Sequence, residues 1–318
     1  MKFALTVGLM TMSLAACTAQ DISTPPAPAL VDEYRPTTRS AQVEELRVAV
    51  ARYSDFAVAR REGWRPFGDD EPLMGTHYYN ESAPDYVAGD ALDFSRPNNL
   101  MYTEIGGQQV LTGVAFVVRI GPGESVPDGF AGSMDRWHVH DFVAAIDAAA
   151  EERPILGGIA NWWLDQNYRN KGDNRGRLAM VHAWVTLENP DGMFADFNRT
   201  LPYRKLDLPE RYWQGASIAA ARGLNLATDG GCDTQNGTLW IANVTRSQDR
   251  AIKQACRIGA DEVRSAISEG GKSRINTAGE QAWARFDAVW QQTLTPTQRR
   301  RIAAMSEHGG DGHEGMKH

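Results

Sequence analysis

Residues 100–120 read LMYTEIGGQQVLTGVAFVVRI. Two runs rich in apolar, β-branched and aromatic residues, Leu100 to Ile105 and Gln109 to Ile120, flank Gly106-Gly107. Paired glycines reach the positive φ that a tight hairpin turn requires, so the stretch reads as a β-hairpin. It sets the character of the region from Trp64 to about Arg204, where short β-like runs alternate with Gly, Pro, Asn and Asp turns. Trp137 to His140 and Leu178 to Leu187 are further strand candidates. Between them, Phe142 to Glu152 reads as helix, and Asn161 to Arg177 is polar and thick with Asn, Arg, Gly and Trp.

Helical patterns lie on both sides of this β-rich region. Upstream, Ser40 is the expected cap of a helix in which Val43, Leu46, Val50, Tyr53, Ala57 and Val58 recur at three- and four-residue steps, with Gly63 as its stop. Downstream, Glu210 to Leu226, Ser247 to Ser268 and Thr277 to Thr293 carry Ala-rich amphipathic patterns. Thr295, Pro296 and Gln298 then form a capping-box start for a short final helix. The expected fold class is α+β: an antiparallel sheet region preceded by one helix and followed by a helical C-terminal region. The corresponding segments are a signal peptide at 1–16, a tether at 17–38, an α+β metal-binding domain at 39–206, a helical region at 207–306 and a tail at 307–318.

Residues 14–17 read LAAC, after Lys2 and an apolar run too short to span a bilayer. This grammar predicts a bacterial lipoprotein signal, with Cys17 diacylated and placed first in the mature chain. The membrane partner is then the lipid at Cys17. Thr18 at the following position points to the outer membrane, facing the periplasm. The Pro-rich stretch after it, with Pro25, Pro26 and Pro28, reads as a solvated tether.

Of the three cysteines, Cys232 and Cys256 remain as a pair in an oxidising compartment, and a disulfide is the expected outcome. Hydrophobic residues at 42% and charged residues at 23% are ordinary globular values, so a packed core is expected over the 318-residue chain. A net charge of −7 without a basic patch argues against nucleic acid as a partner.

The seven histidines carry the functional signal. His138 and His140 lie two apart in Trp-His-Val-His, and on a strand both imidazoles point to one face. A single ion can then take a nitrogen from each at ~2.0–2.1 Å. His182 sits in another strand-like run, His77 follows Gly75 in Met-Gly-Thr-His, and Glu104 beside the Gly-Gly turn is the candidate carboxylate. Histidines with a glutamate and no free thiol suit zinc, copper(II) or iron(II) rather than calcium or magnesium, and zinc or copper is the expected ion. Such binding requires neutral imidazole and is expected to weaken below a pH of ~6.5. The tail holds His308, His313, Met316 and His318 among glycines and acidic residues, the composition of a second, low-specificity metal binder.

The constellation resembles an uncharacterised bacterial secreted family over about residues 40–205. The similarity rests on Met74-Gly75-Thr76-His77-Tyr78-Tyr79-Asn80, Leu100 to Glu104, and Leu111 to Phe116. It continues through Trp137 to His140, His182 to Val185, and Asn189 to Ala195. The resemblance implies that His77, Glu104 and His182 occupy family positions, and it implies no reaction. Ala115 stands where relatives often carry a glutamate. Leu294 to Gln298 is also similar to the LTxxQ motif of small periplasmic chaperones and metal-stress sensors, although helix capping accounts for it.

Three functions follow from the sequence. The first is a lipid-anchored periplasmic protein handling or sensing copper or zinc through His77, Glu104, His138, His140 and His182. The second is a metal-dependent envelope enzyme with an open coordination position. The third is a structural envelope lipoprotein whose histidines hold no metal.

Overall fold

The computed structural model describes residues 37–141, 158, 159, 162, 176–233, 238, 239, 242–304, 307 and 308. The expected signal peptide, Cys17 and nearly all of the tether lie outside them. So do the helix expected at Phe142 to Glu152, most of the Asn161 to Arg177 region, and the tail from Gly309 onward.

Eight strands are described: β1 (Arg65–Glu71), β2 (Gly75–Tyr79), β3 (Tyr86–Val87), β4 (Asn99–Ile105), β5 (Gln108–Ile120), β6 (His138–Asp141), β7 (Arg177–Ala183) and β8 (Glu307–His308). They join in one sheet of order β1-β2-β4-β5-β7-β6-β8. Every pairing is antiparallel except that of the short β3, which runs parallel to β5. Gly106 and Gly107 both have positive φ, 59° and 75°, which builds the expected tight turn between β4 and β5. The fold class is α+β, with most of the described helices following β7.

Before the sheet come α1 (Arg39–Val50) and α2 (Phe56–Arg61), joined by a 3₁₀ turn at Ala51–Ser54. The single helix expected here is therefore broken. Asp55 takes an extended backbone and its carboxylate accepts the Ala57 N–H, so it starts a new helix. The cap of α1 is Thr38, whose hydroxyl accepts from Ala41 N–H, rather than Ser40. Val43, Leu46 and Val50 of α1 are buried with Leu100, Tyr102, Val114, Phe116 and Val181 on one face of the sheet.

After β7 come α3 (Leu201–Lys205), α4 (Glu210–Trp213), α5 (Ile218–Leu226), α6 (Arg246–Glu269), α7 (Lys272–Thr293) and α8 (Pro296–Ala304). The run expected as one helix from Glu210 to Leu226 divides at Gly215, whose φ of 67° leaves the helical region, and Ser217 caps the second piece. The expected capping box at α8 is present: Thr295 Oγ1 accepts from Gln298 N–H at 3.2 Å, and Gln298 Oε1 from Thr295 N–H at 2.9 Å. Helices α5 and α7 cross closely at Gly223 and Gly279. A Cβ on Gly223 would run into the Gly279 carbonyl, so small residues fix this contact. Leu73, at the β1–β2 turn, is buried in the same cluster as Leu224, Ile252, Val263 and Phe286, tying the sheet region to the helices.

Cys232 and Cys256 form a disulfide with a Cα separation of 5.7 Å, joining the turn after α5 to the buried face of α6. The bridge closes a loop of sequence separation 24. By loop-closure entropy it stabilises the fold by about 3.5 kcal/mol. Cys256→Ser should lower unfolding stability by roughly that amount. Denaturant titrations of wild type with and without reductant should show the same gap. Equal stability with and without the bridge would dismiss its structural role.

Among the described residues no helix is long and apolar enough to cross a membrane.

Candidate metal centre

Directly opposed residues of an antiparallel pair send their side chains to the same face. The register opposes His77 to Met101, Met101 to Gly113, Ala115 to His182, Val117 to Met180, and Met180 to His138. Alternation within strands adds His140 to the same set. His77, Met101, Ala115, Met180, His182, His138 and His140 thus share the face opposite the main core. Met101, Ala115, Met180, Trp184 and Leu201 form a separate apolar cluster there.

Strands β4 and β5 stand between β2 and β7, yet His77 Nε2 lies 3.2 Å from His182 Nε2. Between them this face carries Met101 on β4 and the small Gly113 and Ala115 on β5, and the two imidazoles meet across the curled sheet. The His138 ring centroid is 5.0 Å from that of His182, and the His140 centroid is 5.0 Å from that of His138. Four imidazoles are brought together. His77 and His138 are each 5% exposed and His182 is 0% exposed, whereas His140 is half-buried at the outer end.

The segment after β7 folds back to hold His182. Trp184 N–H donates to Met193 O, and Trp184 Nε1 donates to Ala195 O at 2.6 Å. Asn189 Nδ2 donates to Phe197 O, and Gly192 turns the chain with a φ of 110°. These contacts place the Asp196 carbonyl 2.9 Å from His182 Nδ1. A carbonyl can only accept, so Nδ1 carries the proton and Nε2 keeps its lone pair. The Asp196 carboxylate lies 3.6 Å from His138 Nδ1. Met180 Sδ lies 3.3 Å from His182 Nε2.

Burial, reinforced by His138 and His140, lowers the His77 pKa to about 3. Burial also lowers that of His182 well below the ordinary imidazole value. There His138 and His77 add to the effect, and the Asp196 carbonyl opposes it. Both rings are therefore neutral over the physiological range, the state in which imidazole coordinates metal.

Two nitrogens bound to one tetrahedral ion at ~2.0–2.1 Å stand ~3.3 Å apart. The His77–His182 distance of 3.2 Å is close to such an edge. Among the described residues no three His, Cys, Asp or Glu donors are already drawn onto one point. The site is an edge of two nitrogens, with a third imidazole and a thioether beside it. Imidazole and thioether donors fit copper or zinc and do not fit calcium or magnesium.

Glu104 does not join this site. It is exposed, opposes Gln109 at the hairpin end, and alternates with Leu100 and Tyr102 on the other face of the sheet. The cause is the even spacing from Leu100, which one-strand alternation makes decisive. His140 stands beside His138 on β6, while the two rings at nitrogen-to-nitrogen contact belong to β2 and β7. Of the tail residues, His308 has a described backbone, in β8, and opposes His138 across the sheet edge. His313, Met316 and His318 lie outside the described residues. Met180 and Asp196 are the residues that sequence reasoning missed. Met180 was legible as the residue two before His182 on a strand, while Asp196 acts through its backbone and leaves no mark in side-chain type.

No protein-family model, curated protein or solved structure matches the chain. A pocket of about 270 Å³ is lined by Pro72, Met74, Phe197, Arg222 and Trp283 with neighbours on α5 and α7, and by none of the histidines.

Proposed function

We propose that this protein is a lipid-anchored envelope protein that binds one transition-metal ion, copper or zinc, through the buried histidine face. The observation that carries the reading is the pair of neutral imidazoles whose Nε2 atoms stand 3.2 Å apart, with His138 adjacent. Binding is favoured over catalysis because these rings are sealed from solvent, whereas a hydrolytic centre needs a coordination position open to water and substrate. A structural role accounts less well for the arrangement, since aliphatic side chains would fill this face without burying three polar rings.

Full-length protein purified without immobilised metal, then titrated with zinc, should take up an equivalent that disappears on double substitution of His77 and His182 by Asn. Uptake that is the same in wild type and double variant would assign all binding to the tail and defeat the reading. The anchoring part has its own test. Cys17→Ser should move the protein from the membrane to the soluble fraction or leave it unprocessed, and unchanged membrane association would sink it.

A further inference from the structure

The contact between His182 Nε2 and Met180 Sδ is the least ordinary on this face. His182 Nδ1 donates to the Asp196 carbonyl, so in the neutral ring Nε2 is an acceptor. A thioether sulfur is also an acceptor and has no proton to give. Two lone-pair atoms therefore face each other at 3.3 Å with no hydrogen between them. His77 Nε2 stands at 3.2 Å from the same nitrogen. A nitrogen and a sulfur bound to one ion at ~2.0 and ~2.3 Å stand ~3.5 Å apart in tetrahedral geometry.

The remaining chemistry of the face bears on the charge of the ion. Ala115, not a carboxylate, sits opposite His182. Glu104 projects to the other face, and the Asp196 carboxylate lies behind His138, 3.6 Å from its Nδ1. The three donors Met180, His182 and His77 are neutral, and the Asp196 carboxylate beside His138 adds a single negative charge. Burial cost rises with the square of ionic charge, so a divalent ion held by neutral donors costs about four times what a monovalent one does. Met101 is fully buried, opposes His77 and belongs to the same apolar cluster as Met180, which places a second thioether on this face. Soft thioethers with imidazole are the ligand set that selects monovalent copper.

We infer that the histidine site is built for copper in its monovalent state, with the Met180 thioether, His182 Nε2 and His77 Nε2 as its ligands. This inference rests on the metal-binding reading above and adds the identity and charge of the ion.

The test compares full-length wild type, Met180→Leu and His182→Asn under anaerobic conditions. Copper(I) is competed against a chromophoric copper(I) chelator, and zinc is titrated separately. The Met180→Leu exchange keeps the apolar volume and removes only the sulfur, and circular dichroism checks the fold of each variant. The tail is common to all three proteins and cancels in the differences. Met180→Leu should lower copper(I) affinity at least tenfold while zinc affinity stays within twofold of wild type, and X-ray absorption of the copper(I) protein should show a sulfur neighbour that the variant lacks. Copper(I) affinity unchanged in Met180→Leu but lost in His182→Asn would overturn the inference and leave the histidine site standing. Binding of both metals that is identical in wild type and His182→Asn would remove the site itself, and the inference with it.

Discussion

His182→Asn should weaken metal binding at the interior site by at least ~100-fold, beyond the 10–100-fold that loss of a group merely orienting a ligand costs. His182 sits at the centre of the cluster. Its Nε2 is within 3.3 Å of both His77 Nε2 and Met180 Sδ, and its ring contacts that of His138. The expected order of loss is His182, then His77, then His138, with His140→Asn the mildest because that ring is half-buried at the outer end of the cluster, beside His138. Asp196→Ala should cost about tenfold, since the backbone carbonyl that orients His182 remains and only the carboxylate near His138 is lost. Isothermal titration with zinc and competition with copper(I) read the series. A series in which His140→Asn costs more than His182→Asn would place the ion at the Trp-His-Val-His end and overturn this geometry.

That order differs from what the sequence alone suggests, and the reason is topological. Two-residue spacing makes His138 and His140 a visible pair, and they do share a face. The pair at nitrogen-to-nitrogen contact, however, is His77 with His182, separated by 105 positions and by two intervening strands. Nothing local in either segment encodes that meeting. It depends on sheet order, on the register that opposes His77 to Met101 and His182 to Ala115, and on small side chains at Gly113 and Ala115. Glu104 failed for the converse reason. Its residue type was right and its strand was right, but its parity puts it on the opposite face.

The hairpin at Gly106-Gly107, the capping box at Thr295 and the cysteine pair were all legible because each is fixed by residues close in the chain or by scarcity of alternatives. Boundaries set by competition were less so. Asp55 offers a cap inside what periodicity reads as one helix, and Gly215 offers a break inside another. Helix α7 begins at Lys272 rather than near Thr277, since Gly271 with a φ of 94° ends the connection early and Ile275 is already buried. Periodicity counts apolar positions and is blind to a polar first turn.

In the metal-free protein, unfolding stability should fall as pH drops below ~6.5, and the fall should be shallower in His77→Asn. Burial lowers the folded-state pKa of His77 to about 3, while the unfolded chain protonates near the ordinary value of 6.5. Between those limits the unfolded state binds a proton that the folded state refuses. Stability contributed by the neutral ring is thus complete above ~6.5 and is lost as pH falls toward about 3, at about 1.4 kcal/mol per pH unit. His182, lowered by burial and by its imidazole neighbours, acts in the same direction. Asp135 acts in the opposite one: burial raises its pKa to about 6, so the folded state gains from its protonation as pH falls from there toward 3.8. The wild-type slope is therefore smaller than the histidine sum, and the quantity to measure is the difference between wild type and His77→Asn. Urea titrations at half-unit steps from pH 7 to pH 4.5 should give a gap that widens by about 1.4 kcal/mol per unit. The same burial means that protons compete poorly with metal at His77 and His182, so bound zinc or copper should persist well below the pH of ~6.5 that free imidazole would set. Parallel pH profiles for wild type and variant would show that His77 titrates normally in the folded protein, and with that the sealed, neutral pair on which the metal site depends would be lost.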